Sequence, residues 1–138
     1  MTIGSFTTIP PHEDHEELFR FCHKLAGNYG DVIIGVNADN LIEESKGFIP
    51  RIPAVQRAGW LQATWADETF VNEDLFVTED IMSRWRPNIF IVGADWISRD
   101  IQKQTGLTTQ RLNDWGCVLA FAPTLNRVHS ADIDGRNK

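Results

Sequence analysis

The alternation of predicted strands and helices most constrains what this chain can fold into. The run DVIIGV is continuously apolar, which is typical of a parallel strand buried on both faces. Further strands are predicted at TIGSF, ETFV, NIFIVG and CVLAFA, with helical patterns between them. This order predicts an α/β fold with one open, parallel, five-stranded sheet and helices on both faces.

Apolar spacing and end signals predict the helices. HEELFRFCHKLAG carries one apolar stripe and ends at Gly27, and Asp14 with Glu17 predicts the capping pair at its start. PAVQRAGWLQATW begins with Pro53 at a favourable first position. Further helices are expected over roughly residues 78–85 and from about residue 98. The polar, proline-containing segment NADNLIEESKGFIPRIP predicts a mobile loop.

Two histidines, His12 and His15, follow the first predicted strand and stand at the start of the first predicted helix. In an open parallel sheet, ligands bind beyond the carboxyl ends of the strands. The i, i+3 spacing puts both imidazoles beside free backbone N–H groups at the positive end of a helix dipole, which favours phosphate. Two alternatives remain open: polar residues of an exposed helix start, or zinc ligands, for which His23 and His129 are the remaining histidines.

Composition bounds the class of partner. The chain has 138 residues, 42% hydrophobic and 23% charged, which fits one compact domain. Its formal net charge of −6 disfavours nucleic acid, because nucleic-acid binders usually carry a basic surplus. Cys22 and Cys117 form no paired motif, so a reducing cytoplasm is expected. No apolar run approaches the roughly 18 residues of a membrane span, so no membrane partner is expected.

Six segments, in order, resemble the small nucleotidyltransferases of the cytidylyltransferase type, including the glycerol-3-phosphate cytidylyltransferase and ADP-heptose synthase branches. GSFT and HEDH stand where the family carries its G-[ST]-F-D turn and HxGH motif. VIIGVNADNLIEESKG, PRIPAVQR and WADETFV match the second strand with its loop lysine, the following helix start and the third strand. RPNIFIVGADW and FAPTLNRVHSADI match the G-x-D-W and terminal segments. The resemblance implies a single Rossmann-like domain over residues 1–138.

The same resemblance implies four catalytic residues: His12, His15, Lys46 and Arg57. The histidines would donate hydrogen bonds to a triphosphate and stabilise the charge that develops on it. Lys46 would close over the phosphates, and Arg57 would hold a phosphate of either substrate.

Eight further residues are implied to bind the nucleotide. They are Gly4, Ser5, Phe6, Asp39, Asp95, Trp96, Arg127 and Ser130. Asp95 and Trp96 would line the base and ribose pocket, and Ser130 would meet the phosphates. Asp39 would either organise the site or cap its own turn. Mg²⁺ is the implied cofactor, held mainly through the nucleotide phosphates, with no protein residue assigned as a metal ligand.

The implied reaction transfers CMP from CTP to a small polyol or sugar phosphate with release of pyrophosphate. An ADP-heptose-synthase-like adenylyltransferase is the alternative, because VNADNLIEESKG is equally close to that branch. A catalytically degenerate nucleotide-binding protein is a further alternative. It is motivated by Thr7, Asp14 and Thr124, which stand where the family has aspartate, glycine and arginine.

Relatives of this type commonly pair, so a homodimer is expected. The chain has five Trp and eight Phe, which is many for one small core, and aromatic residues are enriched in interfaces. Trp60 and Trp65 lie five residues apart and cannot both face one core stripe of a helix. The dimer contact is therefore predicted near VQRAGWLQATW and the loop before it.

Overall fold

A computed structural model describes residues 1–123 of the chain. The strands are β1 Thr2–Gly4, β2 Ile33–Asn37, β3 Glu68–Asn72, β4 Ile89–Gly93 and β5 Val118–Ala122. The helices are α1 Glu13–Ala26, α2 Asp39–Lys46, α3 Ala54–Thr64, α4 Glu79–Trp85, α5 Ile101–Thr105 and α6 Thr109–Trp115, with a 3₁₀ helix at Ala94–Ser98. The alternation predicted from the sequence is confirmed. None of these helices is both long and apolar enough to cross a membrane.

The described strands are all parallel, but they form two sheets instead of the single five-stranded sheet expected. One sheet has the order β1-β2-β3 and the other pairs β4 with β5. The two meet at Met1, whose ammonium donates to the Ile89 carbonyl at 2.7 Å and whose carbonyl accepts from the Ile91 N–H at 2.8 Å. Because these bonds involve only the residue before the three-residue β1, the pairing stops short of a ladder, and the expectation of one continuous sheet is wrong.

Helices cover both faces of these strands. Ile34, Val36 and Ile91 belong to a core cluster that also contains Phe19 of α1 and Leu61 of α3. The alternate positions face the other way: Phe70, Phe90 and Val92 pack with Met82 of α4 and Leu107 in a second cluster. This two-residue alternation is what a strand buried on both faces requires.

Two helix predictions need correction. The segment expected to be a mobile loop contains α2, which is anchored because Leu41 and Ile42 are buried. Asp14 does not cap α1: His12 is the N-cap, without a side-chain cap bond, and Asp14 lies in the first turn. A carboxylate there still stabilises the helix through its dipole.

Candidate active site

A cavity of about 560 Å³ opens at the carboxyl ends of β1 and β4. At this point the strand order switches: β1 continues to β2 on one side and adjoins β4 on the other. Open parallel sheets bind ligands at such a switch point. The sequence-predicted residues that line the cavity are Gly4, Ser5, Phe6, His15, Lys46, Asp95 and Trp96.

The turn after β1 brings α1 against the cavity. Phe6 has a left-handed φ of 42° and is buried, with its ring folded over Gly4. A Cβ at Gly4 would lie 2.7 Å from that ring, so a larger residue there would force the ring or the strand to shift. The Phe6 ring also packs edge-on against His15, with centroids 5.0 Å apart. The turn therefore fixes the first helix and one of its histidines together.

The two histidines occupy different positions. His15 is half-buried and lines the cavity, whereas His12 is exposed, does not line it, and has its ring centroid 5.8 Å from that of His15. Burial lowers the pKa of His15, and His12 and Lys46 lower it further, against the opposing influence of Asp14 and Asp95. The Nδ1 atom of His15 is buried without a hydrogen-bond partner among residues 1–123. His15 is therefore a largely neutral imidazole at neutral pH, held beside an open space.

Lys46 is the last residue of α2, and its exposed side chain borders the cavity next to Ser45. Gly47 then ends the helix in the left-handed region, with φ of 81°, and its N–H bonds the Glu43 carbonyl. Because α2 is anchored by its buried face, this lysine projects from a fixed helix end. A mobile loop had been expected here.

Arg57 departs most from its expected role, because its side chain is 0% exposed and does not line the cavity. It donates to the carbonyls of Ser5 at 2.6 Å, Asn37 at 3.1 Å and Ile52 at 2.8 Å, and to the Asp39 carboxylate at 2.7 Å. These bonds join the turn after β1, the end of β2 and the start of α2. In this geometry Arg57 holds these segments together, and its side chain presents no exposed surface to the cavity.

Asp39, like Arg57, bonds to other parts of the protein and not to the cavity. One oxygen accepts from Arg57 and the other accepts from the Ala54 N–H at 3.4 Å, so the carboxylate connects α2 to the start of α3. It does not line the cavity. Of the two readings left open by the sequence, this geometry favours organisation of the site.

Asn37 and Asn72 line the cavity but were not among the predicted site residues. Each is the last residue of its strand and is buried. The Asn72 amide donates to Asn37 Oδ1 at 3.0 Å, and the Asn37 amide donates to Ser5 Oγ at 3.3 Å. A polar residue ending an apolar strand is the sequence signal that could have identified both.

The segment after β4 also lines the cavity. Asp95 and Trp96 lie in the 3₁₀ helix, and Arg99 and Gln104 follow them, with all four on the cavity. The Arg99 guanidinium lies over the Trp96 ring, 3.9 Å from its centroid. Arg99 was missed because its place beside Trp96 depends on the short turn between them.

Two predicted nucleotide-binding residues, Arg127 and Ser130, lie outside the described residues, as does Thr124.

The cavity offers few protein ligands for a metal ion. Within residues 1–123, no group of three or more His, Cys, Asp or Glu side chains is arranged to hold one. Asp14 and Asp95 each place a single carboxylate on the cavity wall. Mg²⁺ commonly takes one or two carboxylates and completes its shell with water and substrate phosphates. The carboxylate of Asp14, in the first turn of α1, therefore fits an ion that enters with a nucleotide.

Comparisons with known proteins identify the family of the chain. A family model described as cytidylyltransferase-like matches residues 1–133. Among solved structures, the chain is similar to the lipopolysaccharide core biosynthesis protein from Thermoplasma volcanium GSS1, with 17% identity and a TM-score of 0.68, over 90% of this chain and 94% of that chain. At that identity the likeness shows the fold alone. None of the curated proteins compared with the chain matches it. Because the family model spans nearly all of the sequence, the chain belongs to the cytidylyltransferase-like family of nucleotidyltransferases.

Proposed function

We propose that this enzyme transfers CMP from CTP to a small polyol or sugar phosphate and releases pyrophosphate. The observation that carries the proposal is the cavity at the switch point, where His15 at the start of α1 and Lys46 at the end of α2 border one space. Helix N-termini attract phosphate through free N–H groups and the helix dipole. A histidine and a lysine beside them suit a triphosphate.

In this reaction a phosphate oxygen of the acceptor attacks the α-phosphorus of CTP. The bond from that phosphorus to the bridging oxygen breaks, and pyrophosphate leaves with the electron pair. No covalent enzyme intermediate is needed, so the protein contributes positioning and charge neutralisation.

His15 would donate a hydrogen bond to the α-phosphoryl group. Its lowered pKa keeps it neutral while the site is empty, because burial and the neighbouring cation disfavour the imidazolium. A bound triphosphate acts in the opposite direction, since a nearby anion favours the protonated form. The histidine can then gain positive charge where negative charge develops. His12, exposed at the rim, would reach the phosphates from outside.

Lys46 would neutralise the outer phosphates from the end of α2. Arg57 and Asp39 would act beneath the site, since their bonds hold the Ser5 and Asn37 backbones in place. Mg²⁺, bound mainly through the phosphates, would supply further charge neutralisation. Arg127 and Ser130 remain proposed phosphate contacts on the strength of the family resemblance alone.

The acceptor could belong to either of two classes, and the reaction itself has alternatives. The similar solved structure is called a lipopolysaccharide core biosynthesis protein. That name favours a sugar phosphate over a polyol phosphate and keeps a sugar-phosphate adenylyltransferase as the alternative function. A catalytically degenerate, nucleotide-binding protein is the third candidate function, because Asp14 adds a carboxylate to the cavity wall.

We further propose a cytoplasmic homodimer without a nucleic-acid or membrane partner.

Pyrophosphate release tests the proposal. Purified protein with Mg²⁺ is incubated with each of the four common nucleoside triphosphates and a panel of polyol and sugar phosphates. We expect release from CTP that requires an acceptor. Release from ATP with a sugar phosphate would establish the adenylyltransferase instead. Tight nucleotide binding without release from any pair would establish the degenerate protein and overturn an enzymatic role.

A further inference from the structure

We infer that Arg99, together with Asp95, reads the edge of the nucleobase and selects cytosine over uracil. The inference rests on the proposed nucleotide site and adds a specificity-determining residue that the family motifs do not contain. Both residues line the cavity and follow β4 in the chain, whereas Lys46 lines it from the end of α2.

The guanidinium of Arg99 contacts two side chains, Trp96 and Gln104. It lies over the Trp96 ring, 3.9 Å from the ring centroid, and its Nη2 donates to Gln104 Oε1 at 2.9 Å. Stacking of this kind orients a guanidinium while leaving its N–H edge free to bind in the ring plane.

Arg99 and Asp95 have hydrogen-bonding groups that no described residue uses. A guanidinium has five N–H donors, and in the described part of the chain Arg99 uses one of them in a hydrogen bond, to Gln104. Its contact with the Asp95 carboxylate is 3.9 Å, beyond hydrogen-bonding distance. The two side chains are 46% and 61% exposed. A donor set and an acceptor set therefore stand side by side, open to a ligand.

This pairing matches cytosine. Cytosine presents an amino donor at C4 beside acceptors at N3 and O2, so a carboxylate can accept from the amine while a guanidinium donates to the acceptors. Uracil carries a carbonyl at C4 and an N–H at position 3. Those groups would oppose Asp95 and Arg99 respectively, leaving charged groups desolvated without partners.

A phosphate does not suit this place. Asp95 and Arg99 carry opposite charges that cancel, whereas His15, Lys46 and the start of α1 offer a phosphate a cation and a helix N-terminus. Trp96 itself is less open to a base than expected. Arg99 covers one face of its ring, and the ring also packs against the second core cluster.

Binding of CMP, UMP and inorganic pyrophosphate, measured by titration calorimetry with Mg²⁺ present, tests the inference. The two monophosphates differ only in the base edge, and pyrophosphate reports the phosphate end. We expect the wild-type protein to bind CMP at least about tenfold more tightly than UMP, the discrimination typical of one bidentate base contact. Arg99→Gln should bring CMP affinity down towards that of UMP and leave pyrophosphate affinity unchanged. Arg99→Lys should also lose the discrimination, because a lysine cannot form the planar, two-point contact.

Arg84→Gln is the matched control. Arg84 also lies over a tryptophan, 5.0 Å from the Trp85 centroid, but does not line the cavity. It should change neither affinity nor discrimination. Equal CMP and UMP binding by the wild type, or an unchanged ratio in Arg99→Gln, would overturn the inference while leaving the nucleotide site intact. An equal loss of pyrophosphate and CMP affinity in Arg99→Gln would assign Arg99 to phosphate instead. A wild-type protein that binds none of the three would overturn the proposed function itself.

Discussion

At the scale of single residues, the chain separates groups that can touch a ligand from groups that hold them. His15 and Lys46 border the cavity, whereas Arg57 donates hydrogen bonds to three carbonyls and one carboxylate inside the protein. A buried cation that donates four hydrogen bonds is costly to remove because its partners are left unpaired. The arginine of the family motif can thus matter to activity without touching substrate.

Replacing His15 tests the ligand-contacting group. We expect His15→Ala to lower turnover by about two orders of magnitude or more, the usual loss when one preorganised transition-state donor is removed. His23→Ala is the control, since His23 lies near the other end of α1 and does not line the cavity. Steady-state kinetics at matched folded concentration would measure both, and unchanged turnover in His15→Ala would remove His15 from the mechanism.

The same residue predicts a pH dependence of stability. In the folded protein the pKa of His15 lies below its ordinary value of 6.5. As the pH falls below 6.5, the unfolded chain therefore takes up this proton first. The free energy of unfolding contributed by His15 is fully present above 6.5 and is lost as the pH falls towards the lowered folded value. Chemical denaturation between about pH 5 and 8 measures the free energy of unfolding. As the pH falls, that free energy should decrease less in His15→Gln than in the wild type. The same pH dependence in both proteins would contradict the assignment.

Replacing Arg57 tests the holding group. Arg57→Gln should destabilise the protein by about 3 kcal/mol, because one buried and three partly buried acceptors lose a charged donor. Arg57→Lys should recover little, since one ammonium cannot reproduce the same set of bonds. The exposed Arg51, six residues earlier, gives the control Arg51→Gln, which should change stability by less than about 0.5 kcal/mol. Denaturant unfolding measures all three, and a stable Arg57→Gln with raised KM alone would restore the direct phosphate role.

At the scale of elements, local patterns predicted β2, β4, β5, α1 and α3, because each has a strong apolar period or run. They missed α2, whose two buried residues, Leu41 and Ile42, are adjacent and surrounded by polar ones. The break between β1 and β4 was equally unpredictable, because it depends on bonds between residues nearly ninety positions apart. The same limit applied to the site: His15 and Lys46 sit in local motifs, whereas the roles of Asn72 and Arg99 arise only when separate segments meet.

The end of α2 gives a prediction with an internal control. Gly47 has φ of 81° and Gly59 has no positive φ, and a Cβ at either would meet nothing within 4 Å. Gly47→Ala should therefore destabilise by about 1 kcal/mol through backbone strain alone, and it should loosen Lys46. Gly59→Ala, inside α3, should stabilise by about 0.5–1 kcal/mol. Thermal unfolding would show opposite shifts, and shifts of the same sign would contradict the assigned cap.

At the scale of the whole molecule, the cavity and the candidate dimer face involve the same stretch of chain. Lys46 borders the cavity, and the loop after it and the start of α3 expose apolar side chains: Phe48 is 45% exposed, Ile49 66% and Val55 75%. Trp60 and Trp65, around which the contact was predicted, pack partly against the first core cluster. The exposed trio is therefore a better centre for the proposed contact than the tryptophans are. A second copy bound there would lie close to the Lys46 edge of the cavity.

The dimer can be tested by measuring its mass and by introducing a charge into the proposed contact. Light scattering at micromolar concentration should give twice the chain mass of 15.7 kDa. Val55→Glu should shift the protein towards the monomer, because a carboxylate buried in an apolar contact loses its hydration. Tyr29→Glu is the control, since Tyr29 is 100% exposed at the far end of α1 and should leave the mass doubled. A wild-type mass of 15.7 kDa would reject the dimer. A doubled mass in both variants would keep the dimer but move its contact away from Phe48, Ile49 and Val55.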